Sequence, residues 1–472
     1  MTFLPLSRRL MRLLLLLLST TMALPLQAQT TSPRALEREI LKELVEINTS
    51  DSARHTDVAA RAMARRLVAA GIPEAEVRVL ELTPGIHTLV ARYRGRGRGT
   101  RPILLMAHLD VVDARREDWS VEPYSFLERD GYYYGRGSSD NKAGAAMLVA
   151  NFIRYRQESY QPERDLIIVL TGDEETSSGA ISSLITEHRD LVDAEYALNT
   201  DAGGGEIHDG KPTQFAVQTA EKVYLTFQLE VRNKGGHSSV PEADNAIYRL
   251  SGALSRLAGH RFPMRLNATT RTYFERAAAN QPAEVASAMR AVARSGDSAA
   301  VRRLSQVPYY NSIMHTTCVA TRLFAGHADN ALPQLARATV NCRLLPDDSP
   351  DSVQAILASV IADTAVHLSQ ADSATPSPAS PLRTDVMGPI EQLAREMWPG
   401  AVIVPEMSTG ATDGLYVRNG GIPVYGVRAV FERIDDIRAH GRDERIGVRA
   451  YHDAATFWYR LVKTLGSARP GT

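Results

Sequence analysis

Four short segments of the chain are rich in side chains that bind cations or move protons. They are Met106-Ala107-His108-Leu109-Asp110, Gly135-Arg136-Gly137-Ser138-Ser139-Asp140-Asn141-Lys142-Ala143-Gly144, Thr171-Gly172-Asp173-Glu174-Glu175 and Asn199-Thr200-Asp201. Any metal must be held by His and carboxylates, because the two cysteines cannot build a thiolate zinc site. Residues two apart on a strand point to the same side, so Asp110 can reach the His108 imidazole and fix its tautomer. Taken singly, each segment has an ordinary explanation. Asp173 to Glu175 would be a solvated loop, Asp140 a helix cap and His108 a structural histidine. Their joint occurrence, in order, at successive strand ends points to a site, since open α/β sheets bind ligands at the carboxyl ends of their strands.

The elements that must position these residues alternate. Leu36, Ile40, Leu44 and Ile47 recur at helical spacing, and a second helical stretch runs from His55 to Ala70. Apolar runs at Thr88–Tyr93, Ile103–Ala107 and Leu166–Thr171 predict strands, with a helix at Ala143–Tyr155 between the last two. This predicts an α/β unit with a mostly parallel, mixed sheet flanked by helices. Gly95, Gly97 and Gly99 are read as a hairpin turn, because a strand follows them and not the helix of a phosphate loop.

Near residue 214 the pattern changes. Val223–Val231 alternates as a strand with one solvated face, and helices are predicted at 245–257 and 282–293. Strands at 313–324 and 336–345 and a helix at 351–362 complete a small α+β unit inserted into the first. The Ser/Ala/Pro-rich stretch 369–380 serves as the return linker. The expected organisation is a catalytic unit over 33–213 and 376–472 with an inserted unit over 214–375. Cys318 and Cys342 fall on two strands that can oppose each other, as a disulfide or as adjacent buried thiols.

Lys+Arg and Asp+Glu both number 54, so there is no basic excess for tracking nucleic acid. A hydrophobic share of 44% with 23% charged residues excludes disorder as the main state. Three arginines (Arg8, Arg9, Arg12) precede Leu13–Leu18 and Met22–Leu26, and Ala28 follows. Residues 1–28 are therefore expected to be a signal for export, to the periplasm or beyond, through either the general or the twin-arginine route. The apolar run is too short and interrupted for a secure membrane span, so no stable membrane partner is expected.

Residues 34–466 resemble the M20 co-catalytic zinc peptidases, a family of carboxypeptidases, dipeptidases, aminoacylases and deacetylases. The resemblance rests on His108-x-Asp110, Gly137-x-x-Asp140-x-Lys142-x-Gly144, Glu174-Glu175, Asp201 and the late Arg438-Ala439-His440-Gly441-Arg442-Asp443-Glu444. It implies two Zn²⁺ ions, with Co²⁺ or Mn²⁺ as substitutes, bridged by Asp140. His108 and Asp201 would complete one ion, Glu175 and His440 the other. Asp110 would orient His108, and Glu174 would be the general base acting on a water between the metals. A cis peptide at Asp140-Asn141 is a further implied feature. By the same resemblance the inserted unit is a lid that closes on the substrate and can also carry a homodimer. Its His237, in Lys234-Gly235-Gly236-His237-Ser238, would stabilise the oxyanion, in dimeric members from the partner subunit. Asn330 would help to bind the tetrahedral centre, Arg343 would bind the substrate carboxylate, and Gly410 and Thr412 would line its carboxyl end. The Ala/Arg-rich stretch 268–310 is long for such a lid and is expected to compete with a dimer face. The implied substrates are small peptides or N-acyl amino acids, and the contrasting reading is a non-catalytic protein that retains the fold.

Overall fold

The computed structural model describes residues 32–97 and 100–468; the expected signal segment 1–28 and Gly99 lie outside them. Three runs whose side chains are buried on both faces, Ile103–His108, Leu166–Thr171 and Tyr196–Asn199, form the parallel centre of a ten-stranded mixed sheet. Ile103–His108 lies between the other two, so that His108 pairs with Thr171 and Met106 with Asn199. Such continuous apolar strands require cover on both sides. Helices Pro33–Glu46, Lys142–Gln157 and Val448–Ser467 pack on the face that carries Leu105 and Ala107. Helices Gly179–Thr186 and Gly414–Asn419 cover the face of Leu104 and Met106. Parallel strands end at one edge, which sets the predicted metal-binding segments side by side.

The Arg/Gly segment is not a hairpin turn. Ile86–Tyr93 pairs antiparallel with Leu166–Thr171, and Ile103–His108 pairs parallel with the same strand on its other side. The connection between them therefore runs past the start of that strand, where the Arg96 and Gly97 amides donate to the carbonyls of Pro162 and Glu163. The glycines permit the close approach: a Cβ on Gly97 would lie 2.1 Å from the Glu163 carbonyl oxygen.

A second, antiparallel sheet is ordered Thr317–Ala325, Leu335–Leu344, Val223–Arg232, His367–Gln370, with helices Ala246–Gly259 and Pro350–Ile361 packed on it. The boundary expected at 214 falls within a strand of the large sheet. Lys211–Glu221 pairs parallel with Val402–Ser408, and Phe215 and Val217 are buried in the main core, so the chain crosses over at Lys222. The expected strand 313–324 begins as a helix, Pro308–Met314, and becomes extended from Thr317. Proline at the start of that helix fits its first turn.

The Ala/Arg-rich stretch folds as helices that pack away from the lid sheet. Tyr273, Phe274, Met289 and Ile313 join Ala216, Ala220, Val404 and Met407 in a separate core against the large sheet. The lid strand Thr317–Ala325 is left as an edge, with Val319, Leu323 and Phe324 61%, 65% and 66% exposed. Cys318 and Cys342 stand directly opposite in register and form a disulfide. No helix among the described residues is long and apolar enough to cross a membrane.

Candidate metal centre

Asp140 turns its two carboxylate oxygens toward two different donor pairs. Oδ1 lies 3.0 Å from His108 Nε2, which is itself 3.5 Å from Asp201 Oδ1. Oδ2 lies 3.2 Å from His440 Nε2, and Glu175 Oε1 is 2.8 Å from that same nitrogen. Within each triad, His108–Asp140–Asp201 and Asp140–Glu175–His440, the donor atoms lie within 4.8 Å of one another. Glu174 stands at the rim, its carboxylate forming a third such group with His108 and Glu175.

The surrounding groups hold these carboxylates by their backbones. Buried Glu444 accepts from Arg136 Nη1 at 2.7 Å and from the amides of Gly137, Ser139 and Asp140 at 3.1, 2.9 and 3.0 Å. Asp140–Asn141 is a cis peptide, as expected. Asn141 Nδ2 donates to Asp201 Oδ1 at 2.9 Å, and Thr200 Oγ1 donates to Asn141 Oδ1 at the same distance. Gly144 is required there, since a Cβ would stand 2.0 Å from Asn141 Oδ1 and 2.1 Å from Thr200 Oγ1.

Asp110 acts more broadly than its spacing from His108 suggests. The His108 Nδ1 partner is the Asp110 carbonyl oxygen at 3.0 Å, while the nearest carboxylate oxygen is 3.6 Å away, beyond hydrogen-bond reach. That carboxylate accepts instead from the amides of Glu174 (3.2 Å) and Glu175 (2.9 Å). Asp110 thus positions both acids and one imidazole. Asp173, the first acid of the run, accepts from Thr83 Oγ1, Ser177 Oγ and the Ala180 amide. It caps the following helix and takes no part in the cluster.

The electrostatics reflect this concentration of carboxylates. Burial would lower the His108 imidazole, but Asp201, Asp110 and Asp140 hold it well above its ordinary value. Hydrogen bonds from His440 to Asp140 and Glu175 push its imidazole up to about 10. Burial pushes Glu174 well above the ordinary carboxylic range, reinforced by the charge of Asp201. Asp413, buried and 2.6 Å from Thr171 Oγ1, is pushed up to about 7, chiefly by burial and further by Asp110. The carboxylates that raise both imidazoles concentrate negative charge, which a pair of divalent cations would neutralise with each imidazole bound in its neutral form. Two His and three carboxylates suit Zn²⁺, Co²⁺ or Mn²⁺.

A cavity of about 270 Å³ opens beside Glu174 and is walled by Glu221, Tyr224, Ser377, Thr412 and Tyr416. Arg343 stands directly opposite Tyr224 on the neighbouring lid strand and stacks on its ring at 4.7 Å. Thr412 therefore lines the cavity, and Arg343 lies one ring away. Gly410 is placed on the same loop, its amide bonded to Ser408 Oγ at 3.1 Å, but outside the cavity wall. His237 and Asn330 meet on a two-stranded ribbon, where the Ser238 amide donates to the Asn330 carbonyl. His237 is exposed, and its Nδ1 lies 2.7 Å from Ser239 Oγ. The single chain therefore does not bring His237 or Asn330 into hydrogen-bond contact with the carboxylate cluster. Glu444, Asp413 and Glu221 carry structural weight that the sequence reading does not assign. A carboxylate four residues beyond His440 is a signal for the first, and Asp413 follows Gly410 and Thr412 in the segment Ser408–Gly414 that the resemblance marks; nothing in the sequence marks Glu221.

The fold and the cluster together define a metal-dependent hydrolase. The model for Peptidase family M20/M25/M40 matches residues 104–464. Human N-fatty-acyl-amino acid synthase/hydrolase PM20D1 is 30% identical over 392 residues, covering 80% of this chain and 78% of its own. The probable carboxypeptidase S-like 2 of Dictyostelium discoideum is 26% identical over 389 residues, covering 80% and 74%. Among solved structures, the M20 family metallo-carboxypeptidase Sso-CP2 from Sulfolobus solfataricus superposes with a TM-score of 0.69 at 17% identity, over 91% of this chain and 99% of that one. A dinuclear metal binding peptidase of the M20 family from Bacillus subtilis gives 0.57 at 12% identity, over 92% and 99%. The chain belongs to peptidase family M20/M25/M40 and is a hydrolytic enzyme.

Glu444→Gln removes the charge that faces Arg136 and weakens the scaffold of Asp140. The variant is expected to lose about 3–5 kcal/mol of stability in urea unfolding. Its zinc affinity, measured against a competing chelator, should fall about 10–100-fold. Unchanged values of both would separate Glu444 from the site.

Proposed function

We propose that the enzyme is an exported hydrolase with two divalent cations, cleaving an amide bond next to a free carboxylate in small peptides or N-acyl amino acids. The observation that carries this is the divided geometry of Asp140, with Glu174 poised at its rim. His108, Asp140 and Asp201 would hold one ion, and Asp140, Glu175 and His440 the other. When bound, such ions supply Lewis acidity that polarises the scissile carbonyl and lowers the pKa of the attacking water. Glu174 takes the proton of that water and returns it to the leaving nitrogen, a role suited to a carboxylate whose burial raises its proton affinity. Glu175 would not share that task, because its carboxylate belongs to the donor set of the second ion.

Arg343 is the candidate receptor for the substrate carboxylate. It is half-buried on the strand that faces Tyr224, burial disfavours its charge, and no acid among the described residues forms an ion pair with it. A guanidinium fork in that setting is matched by a carboxylate from outside. The named substrates of PM20D1 relatives, N-fatty-acyl amino acids, and the carboxypeptidase relatives share such a terminal carboxylate. Export is supported by the Cys318–Cys342 disulfide, which belongs to oxidising compartments, and would be tested by an amino terminus near residue 29 in the secreted protein. All five candidate ligands are present, which disfavours a non-catalytic binding role.

A homodimer through the lid is proposed on two observations. The edge strand Thr317–Ala325 is uncovered and carries three exposed apolar side chains, and exposed His237 bonds to Ser239 and not to the cluster within one chain. Pairing of lid edges would remove the first feature and let His237 of the partner subunit serve the oxyanion.

Glu174→Gln is expected to retain its metal content while kcat falls about 10²–10⁴-fold; retained turnover would exclude Glu174 as the base. Arg343→Ala should raise KM for N-acyl amino acids at least about tenfold yet leave carboxyl-amidated analogues unaffected. Equal cleavage of both substrate types by the parent enzyme would exclude the carboxylate requirement. Light scattering on the eluted enzyme should give twice the chain mass, and Leu323→Lys should halve it; a monomeric parent would contradict the dimer.

A further inference from the structure

The buried carboxylate of Glu221 has no part in the hydrolytic scheme above, yet it sits where the substrate cavity meets the crossover into the lid. It ends the strand Lys211–Glu221 of the large sheet, and Val223 begins the central lid strand. Its Oε2 accepts from the Thr412 amide at 3.1 Å. Its Oε1 accepts from Thr412 Oγ1 at 2.7 Å and Gln218 Nε2 at 3.0 Å, and pairs with Arg418 Nη2 at 2.8 Å. Glu221 and Arg418 are both almost wholly buried, at 2% and 3% exposure. Residues 409–413 belong to no helix or strand, so their amides find no ladder. The Thr412 amide is satisfied by Glu221, and the Gly414 amide by the hydroxyl of Thr412 at 3.0 Å. A Cβ on Gly414 would stand 3.0 Å from that hydroxyl and 3.3 Å from both Glu221 Oε1 and Arg418 Nη1, so the turn is closely seated on this cluster.

We propose that Glu221 is a positioning residue for hydrolysis, holding the 409–414 loop through Thr412 and Arg418 so that Ala411 and Thr412 wall the cavity that Glu174 also lines. The proposal rests on the reading that this cavity receives the substrate. Its location explains the choice of residue. The next side chain, Lys222, donates to the carbonyls of Ser312 and His315 and to Thr317 Oγ1, anchoring the start of the lid's edge strand. Adjacent residues thus fix the substrate loop on one side of the crossover and the lid on the other. A neutral or shortened side chain at 221 frees the loop without touching a metal-binding group, so substrate binding suffers and proton transfer at Glu174 does not.

The test compares the parent enzyme with Glu221→Gln, Thr412→Val and Thr412→Ser by amide hydrogen exchange and steady-state kinetics on N-acyl amino acids and dipeptides. In Glu221→Gln and Thr412→Val, exchange across 410–415 is expected to rise about tenfold or more while 173–175 stays protected. KM should rise about tenfold with kcat within about threefold of the parent. Thr412→Ser, which keeps the hydroxyl that Glu221 accepts from, should retain the parent's protection across 410–415. Unchanged loop exchange, faster exchange without a change in KM, or a loss confined to kcat would each overturn the proposal. Should Glu221→Gln fail to fold, the contrast between Val and Ser at 412 decides it. A parent enzyme that cleaves none of the panel defeats the reading of the cavity as a substrate site, and the exchange comparison then decides separately whether Glu221 holds the loop.

Discussion

The structure is organised around keeping several carboxylates within a few ångströms of one another. At a separation of 4 Å, two like charges repel by about 4 kcal/mol at an effective dielectric of 20. Asp140, Asp201, Glu174 and Glu175 are gathered at that scale around only two imidazoles. No solvated loop would hold such a cluster. The fold imposes it by ending three parallel strands at one edge and by seating the connecting segments on buried acceptors. Glu444 gathers three amides of the Asp140 loop, and Asp110 gathers the amides of Glu174 and Glu175. These anchors grip backbone, which leaves the carboxylates themselves free for cations and substrate.

The same division of labour extends outward. Arg428, partly buried near the cluster, donates to Ser139 Oγ at 2.6 Å and pairs with Glu432, adding a fixed positive charge that Asp140 and Asp201 feel. The lid contributes through strand register: Tyr224 and Arg343 are partners across the pair Val223–Arg232 and Leu335–Leu344, and the disulfide ties the next strand to them at Cys342. The helices of the Ala/Arg-rich stretch support the strands Lys211–Glu221 and Val402–Ser408 and leave the lid edge open. Each unit thus offers one functional surface to the cavity and a separate apolar face to its own core.

Much of this was legible in the sequence, for identifiable reasons. The strands Ile103–His108, Leu166–Thr171 and Tyr196–Asn199 are short and apolar, and His108, Glu174 and Asp201 fall at or just past their carboxyl ends. The motif resemblance marked all five candidate ligands, and each falls in one of the two triads. What was not legible depends on tertiary pairing. The role of residues 94–102 could not be read locally, because the strand inserted between its neighbours lies more than sixty residues downstream. The strand Lys211–Glu221 alternates much like the lid strand that follows, and only its pairing with Val402–Ser408 assigns it to the large sheet. His237 and Asn330 were marked by two separate motifs, and that they adjoin on one ribbon was visible only in the structure; their relation to the cluster depends on how chains assemble, which a single sequence does not encode.

The central claim is that Asp140 is shared between two cation sites, and metal stoichiometry tests it most directly. Elemental analysis of the purified enzyme, dialysed against zinc and freed of excess, should give two equivalents per chain. Glu175→Gln should give one, and Asp140→Asn should give fewer than one, because removing the shared carboxylate weakens both sites together. A parent enzyme that binds a single equivalent, or an Asp140→Asn variant that retains two, would contradict the account.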